Sequence, residues 1–480
     1  MEYKSRNLTL MTDLYQLTMM YGYFKENMTE TEAVFDLFFR ELNGVREYAI
    51  MAGTESVVDY IKNLKFEQDD IEYLRSLNLF DEEFLKYLSD FRFTGEIYAM
   101  PEGTMVFPRE PLLRVKAPII QAQLVETTLL NLVNHQTLIA TKASRVKYAA
   151  GDDAVMEFGL RRAQGPDAGT LGARAAVIGG CTSTSNVAAG KLFDLPVSGT
   201  HAHSWIMSFP SEIDAFRAYA RCFPDSCLLL VDTYDTLKSG VPNAIKVFDE
   251  LKEKGHKPLG IRVDSGDLAY LTKEARKMLD AAGYEDAKIC ASSDLDEWVI
   301  RELKTEGACI NLWGVGTRLI TSNDLSALGG VYKLAAEVIN GEIVPKIKIS
   351  ENPIKTTNPG YKKVTRIYNK NGMAVADLIS LDHEKIDTKK PLTLCHPVYR
   401  YKKMTVTDYS VRELLVPLFK DGKQVYTLPS VKEICAYAQK EKDSFWNEYM
   451  RLLNPHVYKV DLSDELYEMK QKILTNYKHR

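Results

Sequence analysis

Leu259-Gly-Ile-Arg-Val263, with Asp264-Ser-Gly-Asp267 directly behind it and a helical pattern from Leu268 to Ala282 after that, is the stretch that decides the fold. A short apolar run that ends in polar residues and feeds a helix reads as one strand–helix unit. The unit recurs. Leu228-Leu-Leu-Val231 precedes a helix from Asn243 to Lys254, and Lys288-Ile-Cys-Ala291 precedes one from Leu295 to Leu303. Cys309-Ile-Asn-Leu-Trp313 reads as a strand ending in a Gly314-Val-Gly-Thr317 loop. Upstream, Ala154 to Phe158 is a short apolar segment closed by Gly159, and Leu171 to Ile178 and Ser185 to Phe193 are helical. Such alternation implies right-handed βαβ units and a parallel sheet. Polar residues crowd the C-terminal strand ends, where α/β barrels carry their active sites. A doubly wound sheet shares that feature; the pattern favours the barrel without deciding it.

Outward from this core the character changes. Residues 1–130 mix helix and strand: Met11 to Met20 has helical spacing, and Ala33-Val-Phe-Asp-Leu-Phe-Phe39 is a β-branched, aromatic strand. Ile119 to Ala149 reads as two consecutive helices leading into the barrel, which spans 131–333. In 334–430, Asn340-Gly341, Asn371-Gly372 and Asp421-Gly422 each lie between apolar stretches, the tight-hairpin signal. Thr356 to Lys363 reads there as an exposed loop. Residues 431–480 are read as helices, from Val431 to Leu453 and from Asp464 to Tyr477.

The bulk numbers narrow the class. A 480-residue chain, 45% hydrophobic and 26% charged, buries a large core in two or more domains. A net charge of -4 with scattered Lys and Arg gives no nucleic-acid surface. No apolar run reaches the length of a membrane span, and Met1-Glu-Tyr-Lys-Ser-Arg-Asn7 lacks signal-peptide regions. The seven Cys are dispersed without a C-x-x-C pair, which fits reduced thiols and a cytoplasmic location.

Val197-Ser-Gly-Thr-His-Ala-His-Ser204 holds two His two residues apart, on one face if the segment is strand-like. Several readings stand: core and surface His, a zinc pair, or a phosphoryl acceptor or general base flanked by Thr200 and Ser204. Zinc needs further ligands at later strand ends, and His135, His256, His383, His396, His456 and His479 lie at none. In Phe158-Gly-Leu-Arg-Arg-Ala-Gln-Gly165, Arg161 and Arg162 are either surface residues or anion forks, with glycines permitting close approach. Arg262 and Asp264 share a strand-end face; they form an ion pair or hold an anion, ribose or Mg²⁺, while Asp267 caps the next helix. Ser292-Ser-Asp294 donates to phosphate or caps a helix. Gly314-Val-Gly-Thr317 lacks the Lys of a P-loop but fits a backbone phosphate cradle, and Trp313 reads as core.

Together these segments resemble the nicotinate phosphoribosyltransferase family. The resemblance runs from Leu10-Met-Thr-Asp-Leu-Tyr-Gln-Leu-Thr18 to the C-terminal helices. It passes through Phe35-Asp-Leu-Phe-Phe-Arg40, Glu157 to Gly165, Gly199-Thr-His-Ala-His-Ser204, Arg262 to Asp267 and Gly314 to Thr317. It implies an irregular α/β barrel with an open-faced β-sandwich domain built from N-terminal and later segments, plus C-terminal helices. It implies ATP-coupled transfer of phosphoribosyl from 5-phosphoribosyl-1-diphosphate (PRPP) to nicotinate, forming nicotinate mononucleotide and pyrophosphate in NAD salvage. His203 is then the transiently phosphorylated residue, and His201 occupies the variable position of the motif. Tyr15, Thr200 and Arg262 would contact nicotinate, Arg161 or Arg162 its carboxylate or the diphosphate, and Asp264 the ribose or Mg²⁺. Ser293, Gly314, Gly316 and Thr317 would hold the 5′-phosphate. The resemblance also implies a homodimer with shared active sites, Tyr15 reaching across. The rivals are a nicotinamide phosphoribosyltransferase, against which the Arg-rich site argues, a zinc amidohydrolase on a barrel, and a non-catalytic metabolite-binding barrel.

Overall fold

The computed structural model describes residues 6–42, 46–352 and 355–478; Met1 to Ser5 and His479 lie outside the described residues. Two compact units emerge, Ile139–Ser326 and the pair Met1–Leu138 with Ala327–Arg480.

In the Ile139–Ser326 unit the strand–helix repeats form one parallel sheet. Its order is Ser183–Thr184, Ala154–Glu157, Leu312–Val315, Lys288–Ser293, Gly260–Val263, Leu228–Leu230. The strands are short and buried, as helices on a parallel sheet require. Two of the intervening helices open on a carboxylate cap. Asp267 accepts the Tyr270 N–H to open Leu268–Ala281, and Asp296 accepts those of Trp298 and Val299 to open Glu297–Thr305. Buried Glu297 pairs with Lys142 at 2.6 Å and Arg145 at 2.9 Å, and Lys142 also meets Asp324 at 2.9 Å, so two cations face two carboxylates.

The strand order follows the chain around a ring, with the Ala154 strand beside the Leu312 strand. Among the described residues, however, no ladder joins the Ser183–Thr184 edge to Leu228–Leu230. A single bridge from Thr184 to Val197 extends that edge. The irregular barrel expected from sequence is therefore described as an α/β sheet that stays open at this seam. A second difference concerns the last strand, which runs Leu312–Val315 rather than Cys309 to Trp313. Gly314 is thus a strand residue. A Cβ there would lie 2.8 Å from the Phe158 ring, so the strand needs glycine where that ring packs.

In the other unit a seven-stranded antiparallel sheet interleaves early and late segments. Its order is Glu342–Pro345, Gly330–Ile339, Glu32–Phe39, Leu113–Pro118, Glu96–Ala99, Val416–Lys420, Lys423–Gln424. Asn340 and Gly341 (φ 53 and 80°), and Asp421 and Gly422 (φ 47 and 70°), supply two left-handed residues each, the two-residue hairpin turn. A second sheet runs Lys403–Val406, Leu392–Cys395, Val460–Leu462, Ala374–Leu381, Lys362–Tyr368, Ser410–Glu413. Val460–Leu462 falls where only helices were expected; three residues are too few to show a period. The helix from Val431 ends at Asp443, not Leu453; Ser444 caps it, and the free Ser444 carbonyl accepts the Ala374 N–H. Nor is Thr356 to Lys363 an exposed loop. Lys362 is buried against the Asp36 carboxylate at 2.7 Å, which draws the segment inward.

Candidate active site

The C-terminal ends of the Gly260, Lys288 and Leu228 strands converge on Arg262. Its Nε donates to Ser292 Oγ (2.7 Å), its Nη1 to Thr200 Oγ1 (3.2 Å) and its Nη2 to Asp264 Oδ1 (2.8 Å). The Ser292 hydroxyl donates to the same Asp264 oxygen. One planar fork thus fixes three segments, which a single ammonium does not do. The guanidinium also lies 5.8 Å from the centroid of the Phe158 ring. Thr200, Arg262 and Asp264, singled out from sequence, are therefore in direct contact.

A second node forms beside the first. Asp232, just past the Leu228–Leu230 strand, accepts the Asp264 N–H at 2.9 Å and the Ser265 hydroxyl at 2.6 Å through Oδ2. Its Oδ1 is buried and has no hydrogen-bond partner among the described residues. His203 Nδ1 lies 3.1 Å from Thr233 Oγ1, and its Nε2 lies 3.9 Å from Asp264 Oδ2. With the Thr233 oxygen as acceptor, the proton sits on Nδ1 and Nε2 keeps its lone pair. His203 is part-exposed, so that nitrogen is accessible.

The two His do not share a strand face. His203 opens the helix His203–Met207, and the chain has already turned. His201 is buried, its Nε2 accepts the Leu230 N–H at 3.3 Å, and Tyr219 meets its ring edge-on at 4.6 Å. Burial is the main cause that lowers its pKa to about 4, so the ring is neutral.

Other candidates surround this core. Ser293 ends its strand at φ 143°, a conformation side chains rarely adopt; strain of this kind is stored at functional sites. Ser293 faces outward, while its neighbour Ser292 makes the bonds to Arg262 and Asp264. Gly316 and Thr317 follow the Leu312 strand, and a Cβ at Gly316 would lie 3.2 Å from the Phe158 carbonyl oxygen. Arg161 and Arg162 stand exposed in the turn Leu160–Arg162, without a carboxylate partner among the described residues. Tyr15 is exposed on the helix Leu14–Lys25 of the other unit.

The sequence marks Asp232 and Thr233 only as polar residues of the strand-end stretch Val231-Asp-Thr233, and Glu157 only as the start of the Glu157 to Gly165 segment, without a partner for any of them. The strand-end rule covers the first two, each one or two residues past an apolar run. Glu157 is buried, which raises its pKa; it accepts the Thr184 hydroxyl at 2.6 Å and the Gly159 N–H. It fixes the start of the Gly159 to Gly165 turn, a role that needs the fold to see.

The Nicotinate phosphoribosyltransferase (NAPRTase) family matches residues 154–402, its N-terminal domain residues 10–134 and its C-terminal domain residues 361–470. The nicotinate phosphoribosyltransferase of Bacillus subtilis (strain 168) is 48% identical over 479 residues, covering 100% of this chain and 97% of its own length. That of Caenorhabditis elegans is 38% identical over 520 residues, covering 96% and 92%. The crystal structure of human nicotinic acid phosphoribosyltransferase superposes with a TM-score of 0.85 at 32% identity, covering 96% of this chain and 99% of that one. With both sequence and architecture matched along essentially its whole length, this chain belongs to the nicotinate phosphoribosyltransferase family.

Proposed function

We propose that this chain transfers the phosphoribosyl group of PRPP to nicotinate, coupled to ATP through phosphorylation of His203. The observation that carries the reading is the set of bonds joining Thr200, Arg262, Asp264 and Ser292, with His203 3.9 Å from the same Asp264. The geometry supports a cationic, preorganised anchor beside an accessible imidazole.

In the transfer step the bond from C1 to the diphosphate oxygen breaks as the nicotinate ring nitrogen bonds to C1. No proton need move. Positive charge grows on the sugar and negative charge on the leaving diphosphate, so positioning and electrostatics dominate. Arg262 and Thr200 orient the acid, Arg161 or Arg162 anchors its carboxylate or the diphosphate, and in a homodimer Tyr15 reaches the ring from the second copy. Ser293, Gly314, Gly316 and Thr317 line the 5′-phosphate position. Asp264 and Asp232, the latter with its unpartnered buried oxygen, fit a hard cation such as Mg²⁺. That ion, when bound, offsets the diphosphate charge.

In the coupling step Nε2 of His203 bonds to the γ-phosphorus as the bond to the ADP oxygen breaks. Nδ1 keeps its proton, held toward Thr233. The added charge then favours an ordered PRPP site. A cytoplasmic homodimer is part of the same proposal; among the described residues no helix is long and apolar enough to cross a membrane.

The test is product formation from PRPP and Mg²⁺ with nicotinate or nicotinamide, with and without ATP. Nicotinate mononucleotide with ATP stimulation is expected, and His203→Ala should abolish the stimulation. Preference for the amide, or undiminished stimulation in His203→Ala, would refute the reading.

A further inference from the structure

The imidazole of His201 stands at the open seam of the parallel sheet. Val231 N–H bonds back to the Arg262 carbonyl, so the alternate N–H, that of Leu230, faces the other edge. Among the described residues no strand pairs there. The acceptor is instead His201 Nε2 at 3.3 Å. On the far side of the seam the same loop is already tied down. Val197 bridges Thr184, Ser198 N–H bonds to the Thr184 carbonyl at 3.0 Å, and the Ser183 and Ser198 hydroxyls meet at 2.5 Å. His201 is thus where a loop rooted on one sheet edge grips the other.

We infer that His201 is a positioning residue, whose ring replaces a missing ladder bond and so sets Thr200 and His203 against Arg262 and Thr233. This rests on the proposed function for its catalytic consequence, but not for its structural one. The residues on either side make the site contacts: Thr200 with Arg262 at 3.2 Å, and His203 with Thr233 at 3.1 Å. Thr233 in turn lies just beyond the strand that His201 grips. Tyr219 and Phe216 wall the ring, at 4.6 and 6.4 Å between centroids, so it is locked in place. Only a neutral ring with its proton on Nδ1 accepts from Leu230, and burial keeps it neutral.

Three substitutions separate acceptor from filler. In His201→Gln the side-chain oxygen stands as many bonds from Cβ as Nε2 does, so it reaches the Leu230 N–H. In His201→Asn the oxygen stops one bond short, at the Nδ1 position. His201→Leu fills space without an acceptor. Loss of the grip should slow His203 phosphorylation and ATP-stimulated kcat by roughly 10- to 100-fold, as a misplacement near 1 Å does. Asn and Leu should show this loss, and Gln should return most of the rate. The KM for nicotinate should move less than kcat in all three.

A second readout needs no turnover. Amide exchange at Leu230 and the imidazole NMR signals of His203 should change in Asn and stay near wild type in Gln. The role is overturned if Asn and Gln match each other in both rate and spectra. If His201→Leu does not fold, the Asn and Gln pair decides alone. If the wild-type protein makes no product while the spectra follow this order, the proposed function fails and the positioning role stands.

Discussion

Replacing Arg262 by Lys tests the site at the point where most of it is joined. The guanidinium makes three hydrogen bonds, at 2.7, 3.2 and 2.8 Å, to Ser292, Thr200 and Asp264. A lysine ammonium on a shorter stem holds one of these, the ion pair with Asp264, so two are lost. Each bond to a charged group contributes roughly 1.5–3 kcal/mol. The side chain is 17% exposed, so water recovers part of that. The net loss is then about 2–4 kcal/mol, or roughly 30- to 1000-fold in kcat/KM at about 1.4 kcal/mol per tenfold. The assay is initial rates of nicotinate mononucleotide formation across nicotinate concentrations, with saturating PRPP, Mg²⁺ and ATP. Urea unfolding of the same samples separates a damaged site from a damaged fold. A kcat/KM within about threefold of wild type would refute the reasoning, because at about 0.6 kcal/mol the fork would be holding nothing.

Three further outcomes follow from the same geometry. Gly240→Ala should destabilise by about 3 kcal/mol or more, seen as a lowered urea midpoint, because the new Cβ would sit 1.8 Å from the Val231 carbonyl oxygen. Thr233→Val removes the hydroxyl beside His203 Nδ1 and should lower the phosphorylation rate of His203 by roughly tenfold, with stability changed by about 1 kcal/mol. Stability should also fall in acid through His201, whose pKa is lowered by burial to about 4. Its stabilising contribution is whole above the unfolded value near 6.5 and is lost as pH falls through about 4. By linkage the wild type should lose about 2 kcal/mol more than His201→Gln between about pH 7.5 and pH 5. Parallel urea curves at the two pH values would contradict this.

Much of the site was legible because strand ends in parallel α/β sheets carry polar residues after apolar runs. Arg262 and Asp264 follow that rule, and Thr200 and His203 were marked by their motif. What stayed hidden depends on direction and contact. Ser292 had no role of its own in the motif, yet the strand turns it inward to Arg262, while Ser293 stands strained at φ 143°. Gly314 was taken for a loop because a glycine in a strand is rare; only the Phe158 ring against it explains the exception. Lys362 was put in an exposed loop because its partner, Asp36, is more than three hundred positions away in the chain.

By itself, the amino-acid order determined the alternation of strands and helices, the left-handed hairpin turns and the residue types able to bind an anion. These depend on neighbours in the chain, through periodicity, capping and backbone freedom. Tertiary structure alone decided that the sheet stays open at one seam, that His201 closes onto Leu230 while His203 turns toward Asp264, and that Asp232 keeps an unpartnered oxygen. Burial and pairing of this kind arise between segments distant in sequence, where no local pattern records which group will meet which.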